Sequence, residues 1–333
     1  MQQRFEFIDL AKGIGMMMVI YLHVTINYPS KINIYAGSHW DIFVHSMFMP
    51  IFFILSGMFF STKTPFKEWI VKKIKRLLVP FAIFYTLTYL LNIILVTFLN
   101  VNLKSGFSYW DIFAVFHKDV YPNSALWFLL ALFWCSLYLY TIIKITQIFW
   151  LQVLFVAICF SIGIMLDKTA TDIPLYIDTA FTSVPFLYIG YWTRKKDLLN
   201  WLQSQNKIVH ICYTFSIAVI CFFIDWQIGE GVSMVNNSNG NPLYFLIGGV
   251  AGSLSIISSS FLIGKLPIIS YIGRYSMFVL CTHMFLTNLF TKVLLKFDVS
   301  FFISSMLATF LVCLCYFIII PSAKRIYFIN KLL

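Results

Sequence analysis

Charged side chains are scarce in this sequence, and acidic ones are scarcer than basic ones. Of 333 residues, 11% are charged and 60% are hydrophobic, with 24 lysines and arginines against 13 acidic residues. A soluble domain needs far more polar surface, so the composition indicates a polytopic membrane protein. The basic residues lie between apolar runs, which argues for anionic membrane lipids and against nucleic acid as a partner.

Several chemical signatures are also missing. None of the seven cysteines forms a CxxC pair and all lie in apolar runs, so we interpret them as small buried hydrophobic residues. The chain contains no GxSxG, P-loop or dinucleotide-binding fingerprint. We therefore expect no metal site and no disulfide framework.

Ten apolar runs have the length of a membrane-spanning helix, which needs about 20 residues. They cover residues 9–29, 41–61, 77–99, 123–145, 148–166, 173–193, 207–226, 242–263, 270–292 and 299–321. The runs predict an all-α bundle of about ten transmembrane helices. No internal repeat is visible, so we expect a single domain over residues 1–333.

The basic residues are divided unequally between the two sides of this bundle. Those on one side are Lys31, Lys104, Lys118, Lys168, Lys292 and Lys296. The remaining 18 of the 24 lie on the other side or at its boundary. Cytoplasmic loops carry the excess of lysine and arginine, so both termini are predicted to be cytoplasmic in a multi-pass protein of the cell membrane.

The first apolar run carries polar side chains on one helical face. At about 100° per residue, Asp9, Lys12, His23 and Asn27 fall within an arc of roughly 80°. Ionisable groups in a membrane are costly and usually face the protein interior or a wet cavity. Lys12 is either a topology anchor or part of a site. His23 is either a helix-to-helix hydrogen bond or a general base, since neutral imidazole accepts a proton.

Motifs along the chain resemble, in order, those of the acyltransferase 3 family of membrane acyltransferases. In the family's opening signature a basic residue precedes a histidine by eleven positions, as Lys12 precedes His23 in IDLAKGIGMMMVIYLH. Further similar segments are MPIFFILSGMFF (49–60), VKKIKRLLVPF (71–81), LWFL (126–129), VPFLYIGYWTRK (184–195) and YIGRYSMFVLCTHMF (271–285). The chain most resembles the compact branch that O-acetylates bacterial polysaccharides.

The resemblance implies transfer of an acetyl group from cytoplasmic acetyl-coenzyme A to a hydroxyl of a cell-surface polysaccharide or lipid-linked glycan. His23 and Asp9 are the predicted catalytic residues, with Asp9 orienting Lys12 at the cytoplasmic entrance. The donor-binding residues would be Lys12, Ser56, Lys73 and Arg76. Lys12 stands where the family usually has arginine, which keeps the charge and loses bidentate phosphate geometry.

The acceptor side is expected to involve Asn27, His45, Trp127 and His283. Many relatives carry a histidine where this chain has Phe48, and His45 lies three residues earlier on the same helical face. His45 either substitutes for that histidine or caps the outer helix end. His283 is either a satisfied core residue or a second group in the cavity of His23, and Trp127 either contacts sugar or packs.

Two outer segments contain further polar groups. The loop 100–122 combines aromatic residues with carboxylates, which suits either carbohydrate contacts or an ordinary membrane-interface loop. Asp178 lies near an outer helix end, and we expect it to be solvated.

Two rival classes explain the same features. A transporter or flippase for a lipid-linked saccharide would also have ten helices, a polar stripe and a basic rim, although such proteins often contain inverted repeats. A membrane scaffold without catalysis would tolerate replacement of Lys12 and His23.

The charge asymmetry gives a testable topology. Single cysteines introduced into 227–241 should react with a membrane-impermeant thiol reagent added to intact cells, and cysteines introduced into 62–76 should not. Detergent-permeabilised cells provide the control, in which both sets should react. Reversed accessibility would contradict cytoplasmic termini.

Overall fold

In the computed structural model of the chain, each of the ten predicted apolar runs is largely helical in its described residues. The structure describes residues 5–28, 39–99, 109–121, 123–197, 204, 206–228, 232–297 and 300–325. In a bilayer each backbone N–H and C=O must be satisfied internally, which makes helices the solution for such runs. No β-strand occurs in the described residues, so the all-α prediction is confirmed there.

Thirteen α-helices follow one another in the described part of the chain. They are α1 (Glu6–Ile26), α2 (His39–Met47), α3 (Pro50–Met58), α4 (Phe66–Lys73), α5 (Val79–Leu99), α6 (Trp127–Ile145), α7 (Phe149–Lys168), α8 (Ile177–Lys195), α9 (Lys207–Ile228), α10 (Pro242–Ile263), α11 (Pro267–Arg274), α12 (Ser276–Leu294) and α13 (Phe301–Lys324). A π-helical turn, Ile74–Leu78, joins α4 to α5. Short 3₁₀ segments cover Tyr109–His117, Ser124–Leu126, Pro174–Tyr176 and Met234–Asn236.

Eight helical segments within the described residues are long and apolar enough to cross a membrane. They are Glu6–Ile26, Phe66–Phe98, Ser124–Ile145, Phe149–Lys168, Lys207–Ile224, Pro242–Ile263, Ser276–Leu294 and Phe301–Lys324. The protein is therefore a multi-pass membrane protein by helix length and composition, whereas the orientation of its termini stays a prediction.

The other two predicted spans are helical with different geometry. The run 41–61 is divided into α2 and α3 at Phe48–Met49, because Pro50 has no N–H to continue the preceding helix and instead begins the next one. The run 173–193 contains α8, which is less apolar because it carries residues such as Thr179, Thr182 and Ser183.

The chain forms two compact units. The first unit comprises Met1–Phe60, Phe186–Met234 and Ser238–Leu333, and the second comprises Ser61–Pro185 and Val235–Asn237. In the first unit α1 packs against α3, α10, α11, α12 and α13. In the second unit α6 packs against α7 and against the π-helical turn. The single-domain reading stays a prediction.

Two glycines allow α11 to lie directly on the backbone of α1. A Cβ added at Gly273 would stand 1.8 Å from the carbonyl oxygen of Asp9, and one added at Gly13 would stand 2.1 Å from that of Ile269. Neither backbone oxygen can move aside as a flexible side chain would. This contact fixes the first half of α1 against α11 and brings Arg274, the last residue of α11, next to Asp9.

A similar contact joins α3 to α8 within the first unit. A Cβ at Gly57 would meet the carbonyl oxygen of Leu187 at 2.0 Å, and one at Gly190 would meet that of Ile54 at 1.9 Å. The Ser-Gly pair at the end of the family's second segment is thus used here for backbone-to-backbone packing through Gly57.

The glycine contact between α1 and α11 predicts a graded loss of stability. Gly13→Ala and Gly273→Ala should each destabilise the protein by about 1–3 kcal/mol or more, because the new methyl group overlaps backbone. Gly15→Ala is the matched control, since its Cβ would lie 3.1 Å from the side chains of Ile51 and Phe52, which can shift. Thermal unfolding of the purified protein in detergent measures the difference, and equal midpoints for all three variants would contradict it.

Candidate active site

The polar stripe of α1 is arranged along the helix as predicted, with apolar residues between its two polar ends. Asp9 is buried, Lys12 and His23 are partly buried, and Met16 and Ile20 between them have no exposed surface. The helical rise places Lys12 about 16 Å and Asp9 about 21 Å from His23 along the axis. Asp9 therefore lies with Lys12 at one end of α1, too far along the helix to touch the imidazole of His23.

His23 faces a second histidine. Its ring centroid lies 5.0 Å from that of His283 on α12, with the two ring planes inclined by 53°. His283 is completely buried, whereas His23 keeps some exposed surface. The structure thus brings together two histidines that are far apart in the sequence, and it supports the expectation that His283 borders the same space as His23.

The hydrogen bonds of His283 define its tautomer. Its Nδ1 lies 3.0 Å from the carbonyl oxygens of both Val279 and Leu280. Carbonyl oxygens only accept, so Nδ1 carries the proton and the lone pair of the neutral ring is on Nε2. This Nε2 is buried and has no hydrogen-bond partner among the described residues.

The ring of His45 makes an edge contact with that of Phe48, with ring centres 5.5 Å apart. His45 thus lies beside the residue that replaces the family's histidine, and the choice between substitution and capping stays a prediction. No group of three or more histidine, cysteine, aspartate or glutamate residues in the described part of the chain is arranged to hold a metal ion.

Polar side chains continue from the histidine pair along both helices. Asn27 follows His23 by four residues, just beyond the end of α1, and its Nδ2 is buried without a partner in the described structure. On α12, Thr287 and Thr291 follow His283 at intervals of four residues, so the three share one face. Both threonines are fully buried, and the hydroxyl of Thr291 also lacks a described partner.

The other end of α1 is cationic. Arg274 Nε lies 3.9 Å from the Oδ2 of Asp9, and Lys12 Nζ lies 5.7 Å from the ring centre of Phe59. Ser56 is on α3, three residues before Phe59, and its side chain is partly buried. Sequence reasoning missed Arg274 as a site residue, although it lies inside the quoted segment 271–285. The signal that identifies it is the tertiary contact with Asp9.

Lys73 and Arg76 belong to the second unit and have different surroundings. Lys73 Nζ donates a hydrogen bond of 3.0 Å to Ser136 Oγ on α6 and lies 5.7 Å from the ring of Trp69. Arg76 is exposed on the π-helical turn. Such turns are rare and frequently mark functional positions. The assignment of both residues to the donor stays a prediction.

Trp127 lies in the interior of the second unit. It is 6% exposed, and its ring centre is 6.0 Å from that of Tyr176. This environment favours packing over stacking on a sugar, and an acceptor role for Trp127 stays a prediction.

The described part of the outer loop contains a tyrosine among carboxylates. Burial, reinforced by the nearby carboxylates of Asp111 and Asp119, raises the pKa of Tyr121 to about 12. Tyr121 therefore keeps its phenolic proton at neutral pH and offers a hydroxyl, not an anion, at this loop.

The expectation that Asp178 is solvated is wrong. Its side chain is 1% exposed, and its Oδ2 accepts a hydrogen bond of 2.6 Å from Lys118 Nζ. The same lysine contacts the exposed Asp172 at 2.8 Å. A buried carboxylate is tolerated because a cation neutralises it, and Lys118 reaches it from a loop that the sequence alone does not align with α8.

A separate apolar cavity of about 480 Å³ lies beside α1. On this helix its wall consists of Ile14, Met17, Met18 and Tyr21. Helical geometry directs these side chains about 150° away from the polar stripe. The cavity and the histidine pair therefore lie on different faces of α1.

The eight long apolar helices in the described part of the chain, with a partly buried and a fully buried histidine packed together, define a multi-pass membrane protein with polar groups in its interior. The particular family follows from comparison with known sequences. The chain belongs to the acyltransferase 3 family, because the family model described as an acyltransferase domain matches residues 5–318. The resemblance inferred from the sequence motifs is confirmed, and the protein is a membrane acyltransferase by family.

Two curated relatives match part of the chain. Glucans biosynthesis protein C from Escherichia coli (strain SMS-3-5 / SECEC) and from Shigella dysenteriae serotype 1 (strain Sd197) are each 29% identical to it over 142 residues. The match covers 39% of this chain and 36% of each relative, so this chain spans little more than a third of their length. No solved structure matches the chain significantly.

Proposed function

We propose that the protein is an O-acetyltransferase of the bacterial cytoplasmic membrane. It moves an acetyl group from cytoplasmic acetyl-coenzyme A to a hydroxyl of a cell-surface or lipid-linked glycan. The observation that carries this proposal is the pair His23 and His283, which places two imidazoles together inside a helical unit of an acyltransferase. The name of the relatives, glucans biosynthesis protein C, supports a glycan as the acceptor.

The donor enters at the cationic end of α1 in this proposal. Lys12 and the half-exposed Arg274 attract the phosphates of the coenzyme, and Asp9 holds Arg274 in place. Ser56 is on α3, three residues before Phe59, whose ring centre lies 5.7 Å from Lys12 Nζ. Charge-assisted hydrogen bonds from lysine and arginine are the usual phosphate contacts in proteins. The thioester then reaches along the polar stripe towards His23.

His23 is the central reacting residue. A neutral imidazole can take the proton of the acceptor hydroxyl as that oxygen attacks the thioester, or it can carry the acyl group as a covalent intermediate. Either role needs one unprotonated ring nitrogen at the reacting carbonyl. Asn27, His45 and His283 are the polar groups that surround the acceptor.

Replacement of His23 tests this proposal. His23→Gln keeps hydrogen-bonding capacity but cannot take a proton or an acyl group, so acetyl transfer should fall by about 10²–10⁴-fold while the protein still inserts and folds. Mass spectrometry of surface glycans from cells that express each variant measures the acetyl esters. His210→Gln is a matched control, because His210 is also buried in the first unit but bonds to Ser258 Oγ at 2.5 Å. Near-normal acetylation by His23→Gln would show that His23 only packs.

The predicted donor-binding residues Lys73 and Arg76 give a second test, which measures the affinity for acetyl-coenzyme A. Arg76→Ala and Lys73→Ala should each weaken binding of acetyl-coenzyme A by about tenfold or more, since hydrogen bonds to charged groups contribute about 1.5–3 kcal/mol. Lys72→Ala is the control, because Lys72 is exposed and only approaches Glu68 at 4.0 Å. Titration calorimetry on purified, folded protein provides the affinities. Unchanged affinity in the Arg76 and Lys73 variants would reduce these residues to topology signals.

A further inference from the structure

The Nε2 of His283 is the buried polar atom to which the proposed reaction gives no defined role. Its ring is held by two backbone carbonyls through Nδ1, so the orientation of the lone pair on Nε2 is fixed. Leaving a buried acceptor without a hydrogen bond costs about 1–3 kcal/mol. A group kept in this state next to a reacting residue is a candidate for direct participation in the reaction.

The tautomer of His283 limits what it can do to a hydroxyl. Its free nitrogen can accept a proton but has none to donate. An acceptor hydroxyl has a single proton, so only one of the two facing imidazoles can remove it. His283 is already set for this task by its backbone hydrogen bonds, which leaves the free nitrogen of His23 available for the acyl carbon.

We infer that His283 is a second catalytic residue, whose Nε2 removes the proton of the acceptor hydroxyl while His23 carries the acyl group. The inference rests on the proposed acetyl transfer and divides its steps between the two histidines. The ring separation of 5.0 Å brings an acyl group on His23 and a hydroxyl hydrogen-bonded to His283 within reach of each other.

Acyl transfer through the two histidines takes two steps, which conserve atoms and charge. In the first, the lone pair of the His23 nitrogen attacks the thioester carbonyl, a C–N bond forms, the C–S bond breaks and the coenzyme leaves as a thiolate. In the second, the acceptor oxygen attacks the acyl carbon, a C–O bond forms and the C–N bond breaks, returning its electron pair to His23. The hydroxyl proton passes to Nε2 of His283 and then to solvent, where it balances the thiolate.

The residues beyond the pair suit a hydroxyl-rich acceptor. Asn27 offers an unpaired Nδ2 donor at the end of α1, and Thr291 offers an unpaired hydroxyl on α12. Thr287 lies between Thr291 and His283 on the same face of α12. Polar atoms at this depth are costly, and sugar hydroxyls would supply the missing hydrogen bonds.

Membrane vesicles from expressing cells, which contain the native glycan, test the division of roles with radiolabelled acetyl-coenzyme A. In His283→Gln vesicles, label on glycan should fall by about 10²–10⁴-fold relative to wild type, while label on the protein accumulates after rapid quench. His23→Gln vesicles should show neither label, and His210→Gln vesicles should match wild type. Glycan labelling within a few-fold of wild type by His283→Gln, or an absence of protein label in it, overturns the inference.

The wild-type protein gives a test that does not depend on a variant folding. Purified protein mixed with acetyl-coenzyme A in the absence of glycan should carry the acetyl mass on the peptide containing His23. An adduct on the peptide containing His283, or no adduct at all, refutes the assignment.

If wild-type vesicles label glycan but the protein never carries label, the proposed function stands and this inference fails. If they label no glycan, the proposed function itself fails.

Discussion

Polar groups on α1 lie within an apolar bundle, where each one needs a partner or a function, and this constraint organises the first unit. Within the described residues the helix packs against α3, α10, α11, α12 and α13, so its polar side chains meet other parts of the protein. Met16 and Ile20 are completely buried between its polar ends. The result is a cationic end, where Lys12 and Asp9 are joined by Arg274 of α11, and a histidine end with His23, separated by an apolar middle.

Two buried histidines in this unit differ in how their rings are held. His210 is paired with Ser258, whose hydroxyl also bonds to Thr214, so these side chains hold α9 against α10. His283 has the opposite arrangement, because its backbone hydrogen bonds orient the ring and leave Nε2 unused. We propose that the difference separates a packing histidine, His210, from a reacting one, His283.

Glycine contacts decide the geometry of the cationic end. The close approach of Gly273 to Asp9 and of Gly13 to Ile269 places Arg274 beside the carboxylate. This makes Arg274 a stronger candidate for donor binding than the sequence suggested. Lys73 is a weaker candidate for donor binding than the sequence suggested, because its amino group already donates a hydrogen bond to Ser136.

The sequence by itself determined the helical, membrane-spanning character of the chain, because long apolar runs have no other way to satisfy their backbone. It also determined the polar face of α1, since helical periodicity is a local property, and the family, whose motifs recur in order. Only the tertiary structure decided that His283 faces His23, that Arg274 meets Asp9 and that Asp178 is buried against Lys118. These pairs come from distant segments, and their meeting depends on how helices rotate and pack against one another, which no local pattern of residues encodes.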